Sequence, residues 1–162
     1  MELWVIRHAI AVEHSPELPD ADRPLTDEGR RRFRRGVRGL RALGVEVDLV
    51  LTSPWRRARE TAAMLARVTA DARAPVLTQH LAGPPRADLL SAIAAAGAAR
   101  LAVVGHEPWL GELVAMLTTG EARHGEALPL KKGGAAHLEG DAAPGGMVLR
   151  ALLPPSVLRA IG

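Results

Sequence analysis

Residues 101–117 read LAVVGHEPWLGELVAML, and they contain the clearest fold signal in the chain. The apolar run from Leu101 to Gly105 has the length and composition of a strand that is buried on both faces. Pro108 follows closely, and proline is favoured in the first turn of a helix, so the sequence predicts a helix from Pro108 to about Leu117. A buried strand that leads directly into a helix is the repeating unit of α/β proteins.

The same alternation of strand and helix continues on the N-terminal side of this stretch. Further strands are predicted at 2–7, 48–52 and 75–78. Further helices are predicted from Thr26, as N-cap, to about Leu43, from Ser53 and Pro54, as N-cap and first helical residue, to about Val68, and from Arg86 to Ala96. We therefore expect a single α/β domain over residues 1–162, with three layers and a largely parallel central sheet flanked by helices.

Two segments depart from this alternation. The polar stretch from Glu13 to Pro24 is predicted to be a loop. Residues 120–146 are rich in glycine, lysine and proline, and we expect a loop there with one short strand near Ala135 to Leu138. Met147 to Leu153 is the last predicted strand, and a short terminal helix follows it.

The composition excludes several classes of protein. There are no cysteines, which removes disulfides, thiolate zinc sites and a cysteine nucleophile. No apolar run reaches the length of about 20 residues that crosses a bilayer, and the N-terminal MELWVIRHAI carries charges that a secretory signal lacks. The net charge of +3 could suit nucleic acid, but aromatic residues make up only 2% of the chain, so stacking platforms are scarce. We expect a cytoplasmic protein that binds neither nucleic acid nor membrane.

Basic residues follow three predicted strands at the ends where parallel α/β sheets bind ligands. Arg7 and His8 follow the first strand, Arg57 lies shortly after the second, and His106 follows the strand that ends at Gly105. A single histidine or arginine at a strand end is usually structural or solvated. Two histidines and up to three arginines at one edge of a sheet instead predict a site for an anion.

Helical spacing separates the two arginines that follow Pro54. Arg57 lies on the apolar stripe that includes Thr61 and Met64, so it is expected to face inward. Arg56 aligns with Glu60 on the outward face. We therefore expect Arg57, and not Arg56, to reach the site.

The predicted site has the chemistry of phosphoryl transfer. Guanidinium groups match phosphoryl oxygens in bidentate fashion, and the start of the helix after Pro108 would add oriented backbone donors. Nearby cations disfavour the charged form of His8, so we expect a neutral ring with a free lone pair. Such a ring can attack phosphorus while Arg7, Arg57 and His106 stabilise the phosphoryl oxygens. No histidine spacing indicates a metal site, and we expect neither a metal nor another cofactor.

Three motifs, in this order along the chain, resemble those of the histidine phosphatase superfamily. They are Arg7-His8-Ala9, Ser53-Pro54-x-x-Arg57-Ala58-x-x-Thr61-Ala62 and Val104-Gly105-His106-Glu107-Pro108. Two further motifs are most similar to those of the SixA-type phosphohistidine phosphatases, namely Arg23-Pro24-Leu25-Thr26-x-x-Gly29 and Leu152-Leu153-Pro154-Pro155. The resemblance implies a phosphoglycerate mutase-like fold. It also implies that His8 is the phospho-accepting nucleophile and that Arg7, Arg57 and His106 form the phosphate pocket.

The sequence departs from this family pattern at the proton donor. Phosphomonoesterases of the family usually carry an acidic residue after the third strand, but residues 79–85 read QHLAGPP and contain no carboxylate. Glu107 or His14 could be the donor instead, as could Glu13. An alkoxide leaving group depends strongly on protonation, whereas the imidazole of phosphohistidine can leave as a neutral base. The missing acid therefore favours phosphohistidine on a protein as the substrate.

Two other functions remain open at this point. One is hydrolysis of a small phosphorylated substrate, and the other is non-catalytic binding of a phosphate or phosphoprotein. We expect a monomeric enzyme of signal transduction. The arginine-rich helix 27–43 is expected to present a solvated face, with a docking surface for an acidic protein as the alternative.

Overall fold

One six-stranded sheet organises the chain in the computed structural model, which describes all residues 1–162. The strands are β1 (Glu2–Arg7), β2 (Leu49–Thr52), β3 (Val76–Leu77), β4 (Arg100–Gly105), β5 (Ala135–Gly140) and β6 (Met147–Leu153). Their order across the sheet is β3-β2-β4-β1-β5-β6. The first four strands are parallel to one another, and β5 and β6 are antiparallel additions at one side. The expected largely parallel α/β fold is therefore confirmed.

Helices cover both faces of the sheet. They are α1 (Asp27–Ala42), α2 (Arg56–Ala63), α3 (Ala87–Ala94), α4 (Trp109–Thr119) and α5 (Pro155–Ile161). Alternate residues of β1 divide between the two faces, since Trp4 and Ile6 belong to one apolar cluster and Leu3 and Val5 to the other. The first cluster contains residues of α1 and α2, and the second contains residues of α3 and α4. The expected three layers follow from this division.

The start of α2 differs from the sequence-based expectation. Ser53 and Pro54 were predicted as its N-cap and first residue, but the helix begins at Arg56 and Trp55 occupies the N-cap position. The hydroxyl of Ser53 accepts from the amide of Trp55 at 3.3 Å and also lies 2.8 Å from Nε2 of His106, on a neighbouring strand end. The helix also stops at Ala63 and continues only as a 3₁₀ turn, whereas regular helix was expected to about Val68.

The C-terminal third contains more regular structure than expected. The strand predicted near Ala135 to Leu138 extends to Gly140 and pairs with both β1 and β6. The preceding region, predicted to be loop, contains a 3₁₀ segment at Ala122–Ala127. None of the five α-helices combines the length and apolar character that a membrane crossing requires.

Candidate active site

Three adjacent strands bring the site together at their carboxyl ends. His8 follows β1, His106 follows β4 and Ser53 follows β2, and these strands are neighbours in the sheet. The backbone N–H of His8 donates to the carbonyl of Gly105 at 3.1 Å, and that of Ser53 donates to the carbonyl of Val104 at 3.0 Å. Because the ladder continues past the strand ends, the side chains of these residues are held side by side. The His8 and His106 ring centroids are 5.1 Å apart.

The His8 ring is held in one tautomer. Its Nδ1 lies 2.7 Å from the carbonyl oxygen of Ala9, which can only accept a hydrogen bond, so Nδ1 carries the proton. Nε2 therefore has the lone pair, and Nε of Arg57 donates to it at 3.2 Å. The residue is only 5% exposed. His8 thus presents an unprotonated nitrogen to the pocket.

Burial keeps both histidines neutral. Burial lowers the pKa of His8 to about 3, the hydrogen bond to Ala9 opposes the shift, and the charges of Arg57, Arg7 and Lys132 lower the pKa further. Burial also lowers the pKa of His106 to about 3. The neutral state expected for His8 is present, but its cause needs correction, because burial outweighs the cations to which the sequence argument assigned the effect.

Arg57 lies inside the site, as its helical spacing predicted. The guanidinium is 4% exposed and stands 4.6 Å from the centroid of the Trp55 ring. Its Nε donates to His8, one terminal nitrogen donates to the backbone carbonyl of Asp20, and the other donates to the Asp20 carboxylate at 2.9 Å. Arg56 points outward and pairs with Glu60 at 2.8 Å. Helical spacing therefore distinguished the two arginines correctly.

One hydroxyl connects the His8 loop to α2. Oγ of Thr61 accepts a hydrogen bond from the amide of Ala9 at 3.0 Å and donates to the carbonyl of Arg57 at 2.7 Å. Thr61 is completely buried. Thr61 thus fixes the backbone that follows His8 relative to α2, the helix that contains Arg57.

Arg7 and His106 each keep one buried nitrogen without a partner. Arg7 donates from a terminal nitrogen to the carbonyl of Leu130 at 2.8 Å, but its Nε has no hydrogen-bond partner. His106 uses Nε2 with Ser53 and leaves Nδ1 unpartnered. Buried polar atoms without partners are rare, and at a candidate site they indicate capacity for a polar ligand. The rings of Trp55 and Trp109 pack around His106, with centroids 4.4 and 6.2 Å from its own.

Glu107 has a structural role that the sequence did not indicate. One carboxylate oxygen accepts from the amide of Gly111 at 3.1 Å, and the other accepts from the amide of Leu130 at 2.6 Å. The expectation that the α4 N-terminus adds free donors to the anion site is therefore wrong for the Gly111 amide, which the carboxylate already satisfies. Glu107, proposed as a proton donor, thus has both oxygens engaged.

The other predicted donors lie on the surface. His14 and Glu13 are exposed in the loop between β1 and α1, and neither forms a side-chain hydrogen bond. The segment after β3 forms a 3₁₀ turn at Gln79–Leu81 and brings no carboxylate.

Asp20 is a site residue that was not predicted from the sequence. It lies in a 3₁₀ turn, Asp20–Asp22, which brings its carboxylate to Arg57. Burial raises the pKa of Asp20, but the hydrogen bonds and charges of Arg57 and Arg23 outweigh burial and leave the pKa below its usual value. Only the three-residue spacing of Asp20 and Arg23 could have suggested a local ion pair, and nothing in that spacing indicates Arg57.

Lys132 was not among the predicted site residues. Lys132 is exposed, yet its charge acts on His8. The next residue, Gly133, donates its amide to the backbone carbonyls of both Arg7 and His8 at 3.1 Å. The loop that carries Lys132 is therefore tied to the nucleophile.

Comparisons with known proteins identify the family. Residues 3–80 match the model of the histidine phosphatase superfamily, branch 1. An uncharacterised protein from Picosynechococcus sp. is 39% identical over 149 residues, which cover 88% of this chain and 87% of the relative.

Solved structures extend the comparison to the whole fold. The protein histidine phosphatase SixA, solved with tungstate, has a TM-score of 0.79 and 27% identity, and the match covers 98% of this chain and 99% of SixA. A candidate alpha-ribazole-5'-P phosphatase from Escherichia coli has a TM-score of 0.73 at 22% identity, covering 100% of this chain and 98% of that protein, and shares the fold. Together the family model and the match to SixA indicate a phosphatase. The chain belongs to the histidine phosphatase superfamily and has a SixA-like fold.

Proposed function

We propose that this protein hydrolyses phosphohistidine on a partner protein through a phosphoryl intermediate on His8. The observation that carries the proposal is the neutral His8 ring, whose Nε2 lone pair lies against the Arg57 guanidinium. A nucleophile that is unprotonated at neutral pH and surrounded by cationic groups suits attack on an anionic phosphoryl group. Arg7 and His106, with their unpartnered nitrogens, supply further contacts to the phosphoryl oxygens.

The reaction proceeds in two displacements. In the first, Nε2 of His8 attacks phosphorus, the new P–N bond forms, and the P–N bond of the substrate breaks with its electron pair going to the leaving imidazole. In the second, water attacks the phosphorus of phospho-His8, the P–N bond to Nε2 breaks, and inorganic phosphate leaves. Arg7, Arg57 and His106 stabilise the equatorial oxygens in both steps.

The carboxylates near the site support a P–N substrate. Asp20 is held ionised beside Arg57 and Arg23, and Glu107 has both oxygens bonded to backbone amides. Glu107 is thus held by the backbone, and Asp20 lacks the proton that an alkoxide would need. An imidazole leaving group depends less on such a donor, so a phosphohistidine is the favoured substrate.

Space for a substrate adjoins the site on the side of Arg7. A cavity of about 740 Å³ is lined there by Arg7, Glu107, Pro108, Arg123 and Glu126, among others, but not by His8, Arg57 or His106. Its volume is sufficient for a protein-borne side chain. The same cavity would admit a small phosphate ester, which makes this the competing substrate class.

Turnover measurements test the proposal. We expect a phosphohistidine protein and phosphoramidate to be hydrolysed, and an alkyl phosphate ester to be hydrolysed at least about a hundredfold more slowly, the range that general-acid catalysis typically contributes. His8→Ala is expected to abolish turnover, whereas His14→Ala, which removes an exposed histidine of the adjoining loop, should leave it intact. Equal or faster turnover of the ester would instead support the small-substrate function, and unchanged turnover in His8→Ala would overturn the mechanism.

A further inference from the structure

Asp20 reaches the site from the loop between β1 and α1. Its carboxylate Oδ2 accepts from Arg57 at 2.9 Å, and its backbone carbonyl accepts from the other terminal nitrogen of the same guanidinium. Each of the three guanidinium nitrogens therefore already donates to a protein group, two of them to Asp20 and one to His8.

Phosphoryl transfer to His8 requires two of these contacts to be exchanged for contacts with the substrate. The Nε2 lone pair that must bond to phosphorus is accepting the Nε hydrogen of Arg57. The Asp20 carboxylate occupies the edge of the Arg57 guanidinium that would otherwise bind phosphoryl oxygens. A phosphoryl group and this carboxylate are both anions, and one guanidinium in a buried site cannot serve both in the same positions.

We propose that the Asp20 carboxylate is a resident anion of the phosphoryl site, which an incoming phosphoryl group displaces from Arg57. Asp20 is then a residue that determines affinity for phosphoryl ligands, because each ligand must replace it. The proposal rests on the proposed function in one respect only, namely that phosphoryl oxygens bind Arg57.

Burial explains why an internal anion is present. The Arg57 side chain is 4% exposed, and a buried guanidinium without an anion would be strongly destabilising. The Asp20 side chain, by contrast, is 40% exposed and lies at the mouth of the site. The Arg57 cation is therefore fixed in the interior, whereas the Asp20 carboxylate lies where it can move away from Arg57.

Arg23 provides the carboxylate with a second partner. Asp20 Oδ1 accepts from Nε of Arg23 and lies 2.7 Å from a terminal nitrogen of the same side chain. Arg23 is itself anchored to the carbonyl of Val12. The carboxylate can therefore release Arg57 through Oδ2 and remain paired through Oδ1, which lowers the free-energy cost of the exchange.

Tungstate inhibition of phosphoramidate turnover tests the proposal. Asp20→Asn retains the size of the side chain and removes its charge. We expect the inhibition constant for tungstate to fall about tenfold in this variant, in the range expected for loss of a competing charge-assisted hydrogen bond, with a parallel fall in KM. Inorganic phosphate should show the same change.

Asp22→Asn is the matched control. Asp22 belongs to the same 3₁₀ turn, is exposed, and has no ion pair within 4.0 Å. The Asp22→Asn substitution changes the net charge by the same amount as Asp20→Asn. Because exposed charges are screened, we expect the inhibition constant for tungstate in this variant to stay within about twofold of the wild-type value. Thermal melts of both variants establish that the comparison is between folded proteins.

Three results for Asp20→Asn would overturn the proposal. Weaker tungstate binding with lower kcat on every substrate would show that Asp20 positions Arg57. A loss of kcat confined to ester substrates, together with loss of the basic limb of the pH profile, would make Asp20 a proton donor. Unchanged inhibition would show that the two anions do not compete. Failure of the wild type to bind tungstate or turn over phosphoramidate would instead overturn the proposed function, and this proposal with it.

Discussion

The tautomer of His8 depends on a single backbone carbonyl. Because the Ala9 oxygen accepts from Nδ1, the reactive lone pair stays on Nε2, on the side of Arg57. The phosphate pocket is thus directed by main-chain geometry immediately after β1. Ala9 supplies its backbone amide and carbonyl to these contacts, and its methyl group is buried in the apolar cluster of α1 and α2.

The two neutral histidines make the fold sensitive to acid. Each has a folded pKa of about 3 against an ordinary value of 6.5, so the unfolded chain binds more protons between these values and stability falls as pH decreases below about 6.5. We expect the free energy of unfolding, measured in urea, to fall between pH 7 and pH 5 by about 2 kcal/mol per histidine. His8→Gln and His106→Gln should each remove about half of this dependence. Equal stability of the wild-type protein at pH 7 and pH 5 would contradict the low pKa values that burial gives the two histidines in the folded state.

Arg57 is expected to be irreplaceable by lysine. A lysine has one nitrogen in place of the three that contact His8 and Asp20, so it cannot hold two phosphoryl oxygens in a fixed fork. We expect kcat/KM for phosphoramidate to fall by about 10²-fold in Arg57→Lys. Arg56→Lys, one residue away and exposed, is the control and should retain wild-type activity. Equal effects of the two substitutions would contradict the inward assignment of Arg57.

At the residue scale, the strand-end rule and helical spacing were sufficient to locate the candidate pocket. His8, Arg57 and His106 follow strands or lie on a periodic stripe, so their positions depend on regular structure. Asp20 comes from a loop, where no periodicity relates sequence to position, and its contact with Arg57 is made across 37 residues of chain. The position of such a loop residue relative to the site is known only from the structure.

Among the elements, α1 agreed with its prediction and α2 did not. Thr26 caps α1 by accepting from the amide of Gly29 at 2.9 Å, as its side chain and position indicated. Ser53 also uses its hydroxyl locally, accepting from the amide of Trp55 at 3.3 Å, but the same oxygen lies 2.8 Å from Nε2 of His106. The hydroxyl therefore contacts both the turn before α2 and the site, and the helix starts later than predicted, at Arg56.

Close packing of α1 against α5 gives a prediction at this scale. A Cβ added at Gly39 would lie 2.0 Å from the carbonyl oxygen of Leu158, so Gly39→Ala must separate the two helices. We expect a loss of about 1–3 kcal/mol in the free energy of unfolding, measured by urea denaturation.

Gly36 provides the matched control on the same helix. The nearest atom to a Cβ at Gly36 is Cβ of Leu158 at 3.8 Å, an ordinary contact. Gly36→Ala should therefore be neutral or stabilising by up to about 1 kcal/mol, through helix propensity. Equal destabilisation by the two substitutions would show that space between α1 and α5 is not the cause.

For the molecule as a whole, the sequence predicted a parallel sheet but not the order of its strands. Alternation along the chain identifies βαβ units, and these units permit several orders. The observed return of β4 to a place between β2 and β1 is what makes the three polar strand ends adjacent. The antiparallel pairing of β5 with β1 was also not predictable, because it depends on contacts between residues that are 129 to 137 positions apart in the sequence.

The basic surface of α1 gives a prediction for the whole molecule. Four of its arginines form no ion pair and no side-chain hydrogen bond, namely Arg31, Arg34, Arg38 and Arg41, whereas Nε of Arg35 donates to an oxygen of Gly162 at 3.1 Å. We expect a solvated face, so Arg34→Glu combined with Arg38→Glu should leave kcat/KM for a phosphohistidine protein within about threefold, as for screened surface charges. A large rise in KM for the protein substrate, with phosphoramidate turnover unchanged, would instead identify a docking surface for an acidic partner.

Trapping the phosphoenzyme tests the central claim most directly. The protein would be mixed with phosphoramidate, quenched in alkali to preserve P–N bonds, and analysed by peptide mass spectrometry and by ³¹P NMR of the phosphohistidine. The account predicts an acid-labile phosphoryl group on His8, bonded to Nε2, because Nδ1 is engaged by the Ala9 carbonyl. Turnover without a phosphoenzyme, or a phosphoryl group on Nδ1 or on any other residue, would contradict it.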